Sequence, residues 1–194
     1  MIFKIRSTGE PVLRQRARPL PPEEILLPGT QELIASMRET MRDAPGVGLA
    51  APQIGLPLQL AVIEDREEYM KDFTKEMLAE RERKPVAFEV IINPVLTLES
   101  EPEVEFFEGC LSLPGLVALV PRARKVKVEY LDAQGKPKII RASGWHARIL
   151  QHEIDHLSGA LYVDRMRSVS LTSLENFTRH WKGKSIAEVK RLLP

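Results

Sequence analysis

The feature that most constrains the fold is residues 143–159, where a helical pattern leaves almost no polar face. At about 100° per residue, a helix from Ser143 to Gly159 carries apolar side chains over most of its circumference. Only Arg148, Gln151 and Asp155 group on a polar strip. Because a helix that is apolar nearly all round must be buried, the sequence predicts a chain wrapped around one central helix.

This helix contains QHEIDH, in which two histidines stand four residues apart. His152 and His156 share one stripe and lie about 6 Å apart along the axis, so both rings can converge on one metal ion. Glu153 lies about 60° to one side, from where its carboxylate can reach a water beside the metal. The pattern predicts a metal-hydrolase centre; the alternative is a pair of structural histidines bonded to backbone carbonyls.

A hydrolytic metal site with one open position needs a third protein ligand. Downstream of the helix, LSGALYVDRM offers no histidine at the expected spacing, since Tyr162 stands there. Upstream, EGCLSLPG holds the only cysteine of the chain, Cys110, in a turn after a predicted strand. A thiolate and two imidazoles would complete the site. The alternative is that Cys110 is an ordinary buried apolar thiol.

The remaining elements predict an α+β fold with antiparallel sheets around the central helix. A first helix is expected from Thr30 to Arg42, followed by the irregular Gly- and Pro-rich stretch PGVGLAAPQIG, and a charged insertion is expected over 64–84. Ser185 and Glu188 form a capping-box pattern for a last short helix. Strands are predicted at Leu58–Glu64, Phe88–Asn93, Val95–Glu99, Glu103–Phe107, Leu116–Val120, Lys125–Leu131 and Lys138–Arg141.

Composition excludes several classes of protein. With 43% hydrophobic and 28% charged residues, the 194-residue chain is typical of a globular protein rather than a disordered one. A net charge of +1 argues against a dedicated DNA-binding protein. No apolar run approaches the length of a membrane span, and MIFKIRSTGEPVLRQ lacks the apolar core of a signal peptide. We therefore expect a cytoplasmic protein that does not associate with membranes.

Three stretches in order, GVGLAAPQIG (46–55), EGCLSLPG (108–115) and QHEIDHLSG (151–159), resemble the signature motifs of peptide deformylases. The likeness extends over most of residues 1–166, which is the expected catalytic domain, with 167–194 as a basic helical extension of that domain. The long charged insertion is similar to that of the plant-organelle-type members and some bacterial ones. The resemblance implies an enzyme that removes the N-formyl group from the initiator methionine of nascent chains.

The resemblance also implies roles for individual residues. Cys110, His152 and His156 are expected to bind one Fe²⁺, with Zn²⁺, Ni²⁺ or Co²⁺ possible in purified protein; ligand chemistry alone would favour zinc. Glu153 is expected to act as the general base. The side-chain amide of Gln53 and the backbone N–H of Leu111 are expected to stabilise the oxyanion. Taken without the motif, Gln53 would be read as a loop residue that bonds its own backbone.

Substrate contacts are expected from the first and third motifs. The resemblance implies that Gly48 pairs with the substrate main chain, as an added strand does. Val47, Trp145 and Ile149 are candidates for the wall of the methionine pocket, although ordinary core packing would equally explain Trp145. The expected partners are N-formylmethionyl nascent peptides and, through the basic C-terminal region, the ribosome.

Two other functions fit parts of the sequence. A metallopeptidase that cuts internal peptide bonds would share the HExxH pattern, but it would need a third ligand downstream. A non-catalytic, metal-stabilised module could instead dock on ribosomes through the basic segment. Glu153 argues against that module, since a structural metal has no use for a base beside it.

Overall fold

The computed structural model describes residues 1–193, in which two antiparallel sheets surround one long buried helix. The helices are α1 (Pro22–Ile25), α2 (Pro28–Asp43), α3 (Lys75–Glu80), α4 (Gly144–Leu157), α5 (Leu174–His180) and α6 (Ile186–Leu192). The strands are β1 (Gly48–Ala50), β2 (Leu60–Asp65), β3 (Val86–Leu98), β4 (Val104–Cys110), β5 (Leu113–Arg122), β6 (Lys125–Leu131), β7 (Pro137–Ser143) and β8 (Thr172–Ser173).

The larger sheet has five strands in the order β1-β2-β3-β6-β7, and the smaller has three in the order β4-β5-β8. Every pairing between neighbouring strands is antiparallel. The prediction of an antiparallel α+β fold is therefore confirmed.

Helix α4 packs on one face of the larger sheet and α2 belongs to the core on the other. Strand β2 is buried along its whole length because its side chains alternate between two faces of the sheet and both faces are covered. Ile63 belongs to the same core cluster as Ile149 and Leu150 of α4. Leu60 and Val62 join the cluster that contains α2. The apolar circumference of α4 is thus explained by its central position.

The break predicted between two strands was wrong. The strands expected at 88–93 and 95–99 form one strand, β3, whose pairing shifts register between Ile92 and Val95. Asn93 interrupts the regular pattern there with a φ of 51°, and its side chain bonds both backbone groups of Leu20. A bulge of this kind bends a strand without ending it.

The stretch GVGLAAPQIG is more regular than predicted. Gly48–Ala50 forms the edge strand β1, and Ala51–Ile54 forms a single 3₁₀ turn. Pairing with β2 supplies hydrogen bonds that local propensity does not. As a result, Gly48 lies on an open sheet edge beside α4.

The charged insertion and the C-terminal segment pack against each other and the core. The insertion holds a 3₁₀ turn at Glu67–Met70 and helix α3, as expected for a short solvated element. Val189 of α6 is buried, and Glu80 accepts a hydrogen bond from the backbone N–H of Ile186. Among the helices of residues 1–193, none has the length and apolar character needed to cross a membrane.

Candidate metal centre

One strand and one helix bring Cys110, His152 and His156 together. Cys110 is the last residue of β4, and both histidines project from α4. The potential ligand atoms of the three residues lie within 4.8 Å of one another, and Cys110 Sγ is 3.2 Å from His156 Nε2. One sulfur and two imidazole nitrogens at this separation fit a single transition-metal ion. The three residues proposed as ligands from the sequence therefore converge.

Glu108 orients His152 towards the other two groups. Its carboxylate lies 3.0 Å from His152 Nδ1, which leaves Nε2 free to face the metal position. Burial acts to raise the pKa of Glu108, but the charge of Arg122 and hydrogen bonds from His152 and Arg122 hold the pKa well below its usual range. Glu108 is therefore ionised, and Nδ1–H of His152 donates to it. Carboxylates beside ligating histidines commonly fix the ring in this way.

Two arginines hold Glu108 in turn. Arg122 donates to both carboxylate oxygens, at 3.0 and 2.9 Å, and Arg148 donates at 2.6 Å. Arg122 also donates to Asp155, the residue directly before His156. Arg148, Gln151 and Asp155, the polar strip in the sequence, are thus buried beneath the centre rather than exposed. Burying these charges is tolerable because each one is paired.

Glu108 was not predicted from the sequence as a functional residue, although it is the first residue of the motif EGCLSLPG. The predicted strand ended at Phe107, whereas β4 continues to Cys110 and so includes Glu108. Arg122 gave no signal in the sequence, because its partners come from elements distant in sequence.

Glu153 lies beside the three ligand candidates with a free oxygen. Its side chain is buried, and Oε2 has no hydrogen-bond partner within residues 1–193. Burial raises the pKa of Glu153 to about 7. A buried carboxyl group with a free oxygen and a near-neutral pKa is suited to accept and return a proton.

Gly48 of β1 leaves room for the Glu153 carboxylate because it has no side chain. A Cβ on Gly48 would lie only 2.2 Å from Glu153 Oε1 and 2.5 Å from Cδ. Any larger residue at this position must therefore displace the Glu153 carboxylate.

We expect Gly48→Ala to lower kcat by roughly 10²-fold with little change in folding, because displacing a catalytic group by about 1 Å has effects of this order. Gly29→Ala is the matched control, since a Cβ on Gly29 meets no atom within 4 Å. Steady-state kinetics and thermal melting of both variants measure the effect. A Gly48→Ala enzyme with wild-type kcat would mean that the observed position of Glu153 is unimportant.

Gln53 extends its side-chain amide towards Cys110. Its Nε2 donates to Ser112 Oγ at 3.2 Å and lies 3.6 Å from Cys110 Sγ, while Oε1 accepts from the backbone N–H of Ala50. The local backbone bond considered from the sequence therefore exists, and it leaves the NH₂ group pointing at the centre. Leu111 follows Cys110 directly and lies in the same cavity wall.

A cavity of about 430 Å³ opens beside this centre. Val47, Gly48, Trp145 and Ile149, the four proposed substrate contacts, all line it, and so do Gln53, Leu111, Cys110, His152 and Glu153. His156 does not, because it lies behind the others and is only 1% exposed. Additional apolar lining residues come from the smaller sheet and the C-terminal segment: Phe107, Leu113, Leu116, Val117 and Leu174.

Comparison with known proteins identifies the family. The family model described as polypeptide deformylase matches residues 2–171. Peptide deformylase 1A, chloroplastic, from Solanum lycopersicum is 47% identical over 172 residues, which is 89% of this chain and 62% of that protein. The Thermus thermophilus peptide deformylase is 44% identical over 86% of this chain and 83% of its own.

Comparison with solved structures identifies the same family. A class I type b peptide deformylase from Acinetobacter baumannii, described as bound to Met-Ala-Ser, has a TM-score of 0.76 at 31% identity, covering 86% of this chain and 99% of that one. A crystal structure of the Thermus thermophilus enzyme has a TM-score of 0.70 at 42% identity, covering 86% of each chain.

The comparisons differ in how much of each relative they cover. The chain spans 62% and 64% of the tomato and Arabidopsis relatives, against 83% of the Thermus one. The family match nevertheless covers all three sequence motifs and every residue of the candidate centre. The chain belongs to the polypeptide deformylase family.

Proposed function

We propose that this protein is a metal-dependent hydrolase that removes the N-formyl group from the initiator methionine of nascent polypeptides. The observation that carries the proposal is the convergence of Cys110, His152 and His156 beside the free carboxylate oxygen of Glu153, at one end of an apolar cavity. Family membership supports the same substrate class.

The proposed ligands of the ion are Cys110, His152 and His156, with Glu108 holding His152 in the required orientation. When bound, a divalent metal supplies Lewis-acid chemistry, which lowers the pKa of water and stabilises negative charge on a carbonyl oxygen. Proton transfer and further stabilisation of the oxyanion are proposed to come from side chains and backbone groups of this protein.

Glu153 is the proposed proton carrier. It accepts a proton from the water that attacks the formyl carbon and returns it to the methionyl nitrogen as the C–N bond breaks. Gln53 Nε2 and the Leu111 backbone N–H are the proposed donors to the oxyanion. Preorganised donors of this kind typically contribute about 3 kcal/mol each to lowering the barrier.

The substrate main chain is proposed to add to the open edge of the larger sheet. Strand β1 is that edge, and β2 occupies only one side of it. An extended peptide beside Gly48 would therefore gain backbone hydrogen bonds, as in strand addition. Val47, Trp145 and Ile149 are the proposed wall for the unbranched methionine side chain.

The proposed native ion is Fe²⁺, and Zn²⁺, Ni²⁺ or Co²⁺ are proposed to substitute in purified protein. A thiolate and two imidazoles suit all four ions. A ferrous thiolate centre requires a reducing compartment, which is consistent with a proposed cytoplasmic location.

Exposure to peroxide should inactivate the iron form and spare a nickel-substituted form. Peroxide readily oxidises Fe²⁺ or a thiolate bound to it, whereas Ni²⁺ is far less readily oxidised. Activity of both forms is followed during the same exposure. Equal losses would show that the iron is not the vulnerable element and that Cys110 or another residue reacts directly.

Ribosome contact is proposed through the basic C-terminal region. Residues 165–194 contain seven Lys/Arg and two Glu, a local charge of +5. Such a surface favours an anionic partner such as ribosomal RNA.

The catalytic domain is proposed to occupy residues 1–166, with 167–194 as an extension of the same domain.

The deciding assay offers formyl-Met-Ala-Ser and an unformylated peptide of the same length. Formate release from the first, with both peptides left otherwise intact, is the expected result. Cleavage of an internal peptide bond would instead favour a metallopeptidase. Formate release no faster than the uncatalysed background would favour a non-catalytic module.

A further inference from the structure

A second cavity, of about 210 Å³, lies between the charged insertion and the C-terminal segment. Half of its lining residues come after residue 171, where the family match ends. Five rings form the walls of this aromatic cavity: Phe73, Phe107, Trp145, Phe177 and Trp181. The family match therefore covers only part of the residues that build it.

A thin partition separates the aromatic cavity from the cavity beside the metal centre. Phe107, Val117 and Trp145 line both cavities. Cys110 and His152, two of the proposed metal ligands, line the cavity beside the metal centre and not the aromatic cavity. A molecule in the aromatic cavity would therefore contact the partition and not the metal.

Two contacts hold the C-terminal segment in place and keep the aromatic cavity formed. The ring of Phe177 in α5 packs edge-on against Phe107 of β4, with centroids 4.8 Å apart. The backbone N–H of Ile186, the first residue of α6, donates to Glu80 of α3 at 3.2 Å. A cavity that is already formed does not have to be ordered by its ligand, which lowers the entropic cost of binding.

The size and the walls of the aromatic cavity favour one aromatic ring. A cavity of about 150 Å³ holds one benzene molecule, so a volume of about 210 Å³ accommodates a ring with a short side chain. Aromatic walls bind another ring in edge-to-face or offset arrangements. Such a ligand would also cover apolar surface that is otherwise in contact with water.

The charges around the aromatic cavity favour a negatively charged ligand. Arg81, Lys182 and Lys184 line it, and Asp72 is the one acidic residue among the described lining residues, which gives a local charge of +2. Arg81 already contacts Glu80 at 3.4 Å. The two exposed lysines therefore provide most of the attraction for an anionic group.

We infer that the aromatic cavity is a second binding site, which takes a small aromatic carboxylate. Its ligand binds whether or not a peptide occupies the cavity beside the metal centre. The inference does not depend on the proposed deformylase function, because no residue of the metal centre takes part in binding.

The positions of the tryptophans allow a direct test. The chain contains two, Trp145 and Trp181, and both line the aromatic cavity. NMR spectra of the zinc-loaded protein resolve their indole N–H signals. We expect both signals to shift on titration with 3-phenylpropionate, with a Kd on the order of 0.1 mM. Saturating Met-Ala-Ser, present throughout, occupies the cavity beside the metal and should not prevent these shifts.

The preference for a carboxylate is tested with 3-phenylpropanamide, which has the same shape without the charge. We expect the amide to bind about threefold more weakly, and the double variant Lys182→Ala, Lys184→Ala to abolish this difference. Lys71→Ala, Lys75→Ala is the matched control, because both lysines are exposed residues of the insertion that do not line the cavity. Equal affinities of the wild type for the acid and the amide would overturn the assigned ligand class.

The location of the site is tested with Trp181→Ala, followed through the Trp145 signal. Loss of one wall should weaken binding of 3-phenylpropionate by about tenfold or more. Leu192→Ala is the control, since Leu192 lies in α6, is 54% exposed and does not line the cavity. Melting temperatures of both variants check folding, and the lysine variants leave the aromatic walls intact.

Two results would overturn the inference. One is the absence of a shift in either indole signal at one hundred times the expected Kd. The other is a shift confined to Trp145 that saturating Met-Ala-Ser abolishes, because the acid would then occupy the cavity beside the metal centre.

Discussion

Replacing Glu153 by Gln should lower formate release by roughly 10²–10⁴-fold while leaving the metal content unchanged. The amide has nearly the shape of the carboxylate but cannot accept a proton. The three proposed ligands, Cys110, His152 and His156, remain in place because none of them bonds to Glu153. Steady-state kinetics and metal analysis on the same preparation measure both properties.

Glu175→Gln provides the control for a neutralised surface carboxylate. Its side chain is 78% exposed and makes only a local pair with Arg179 on the same helix. It should retain full activity and full metal content. If Glu153→Gln lost metal in proportion to activity, Glu153 would have a structural role and the proposed proton transfer would be wrong.

Cys110→Ser should empty the metal site or change the ion that it retains. A serine hydroxyl is a much weaker ligand than a thiolate for iron, nickel or zinc, so the remaining two imidazoles would bind loosely. We expect most of the metal to be lost during dialysis, and activity to fall in proportion. Metal content per chain before and after dialysis is the measurement.

Folding must be checked in the same serine variant. Cys110 is only partly buried, and serine is slightly smaller, so the melting temperature of the dialysed variant should stay close to that of wild-type protein treated with a chelator. A variant with wild-type metal affinity and turnover would remove Cys110 from the coordination sphere.

Local patterns in the sequence predicted the elements that carry their own signal. The helix of residues 144–157 was recognised because its apolar periodicity and its two histidines lie within one short segment. Cys110 was proposed by chemical elimination, since a hydrolytic site needed a third ligand and no downstream residue was suitable. These assignments depend on local spacing and ligand chemistry.

Features that depend on tertiary pairing were missed or misjudged. Strand β1 is only three residues long and is stabilised by pairing with β2, so local strand propensity does not predict it. Arg122 supports Glu108 and Asp155 through contacts that span 14 and 33 residues of sequence. Leu174 reaches the cavity because β8 pairs with β5, a contact that the charge pattern of the C-terminal region does not indicate.

X-ray absorption spectroscopy of anaerobically purified protein tests the metal centre most directly. The absorption edge identifies the element, and the fine structure counts the sulfur and nitrogen neighbours. We expect an iron edge with one sulfur at about 2.3 Å and two imidazole nitrogens at about 2.1 Å, distances typical of such ligands at zinc and close to those for iron. A spectrum without a sulfur neighbour, or a protein that releases formate without bound metal, would contradict the proposed centre.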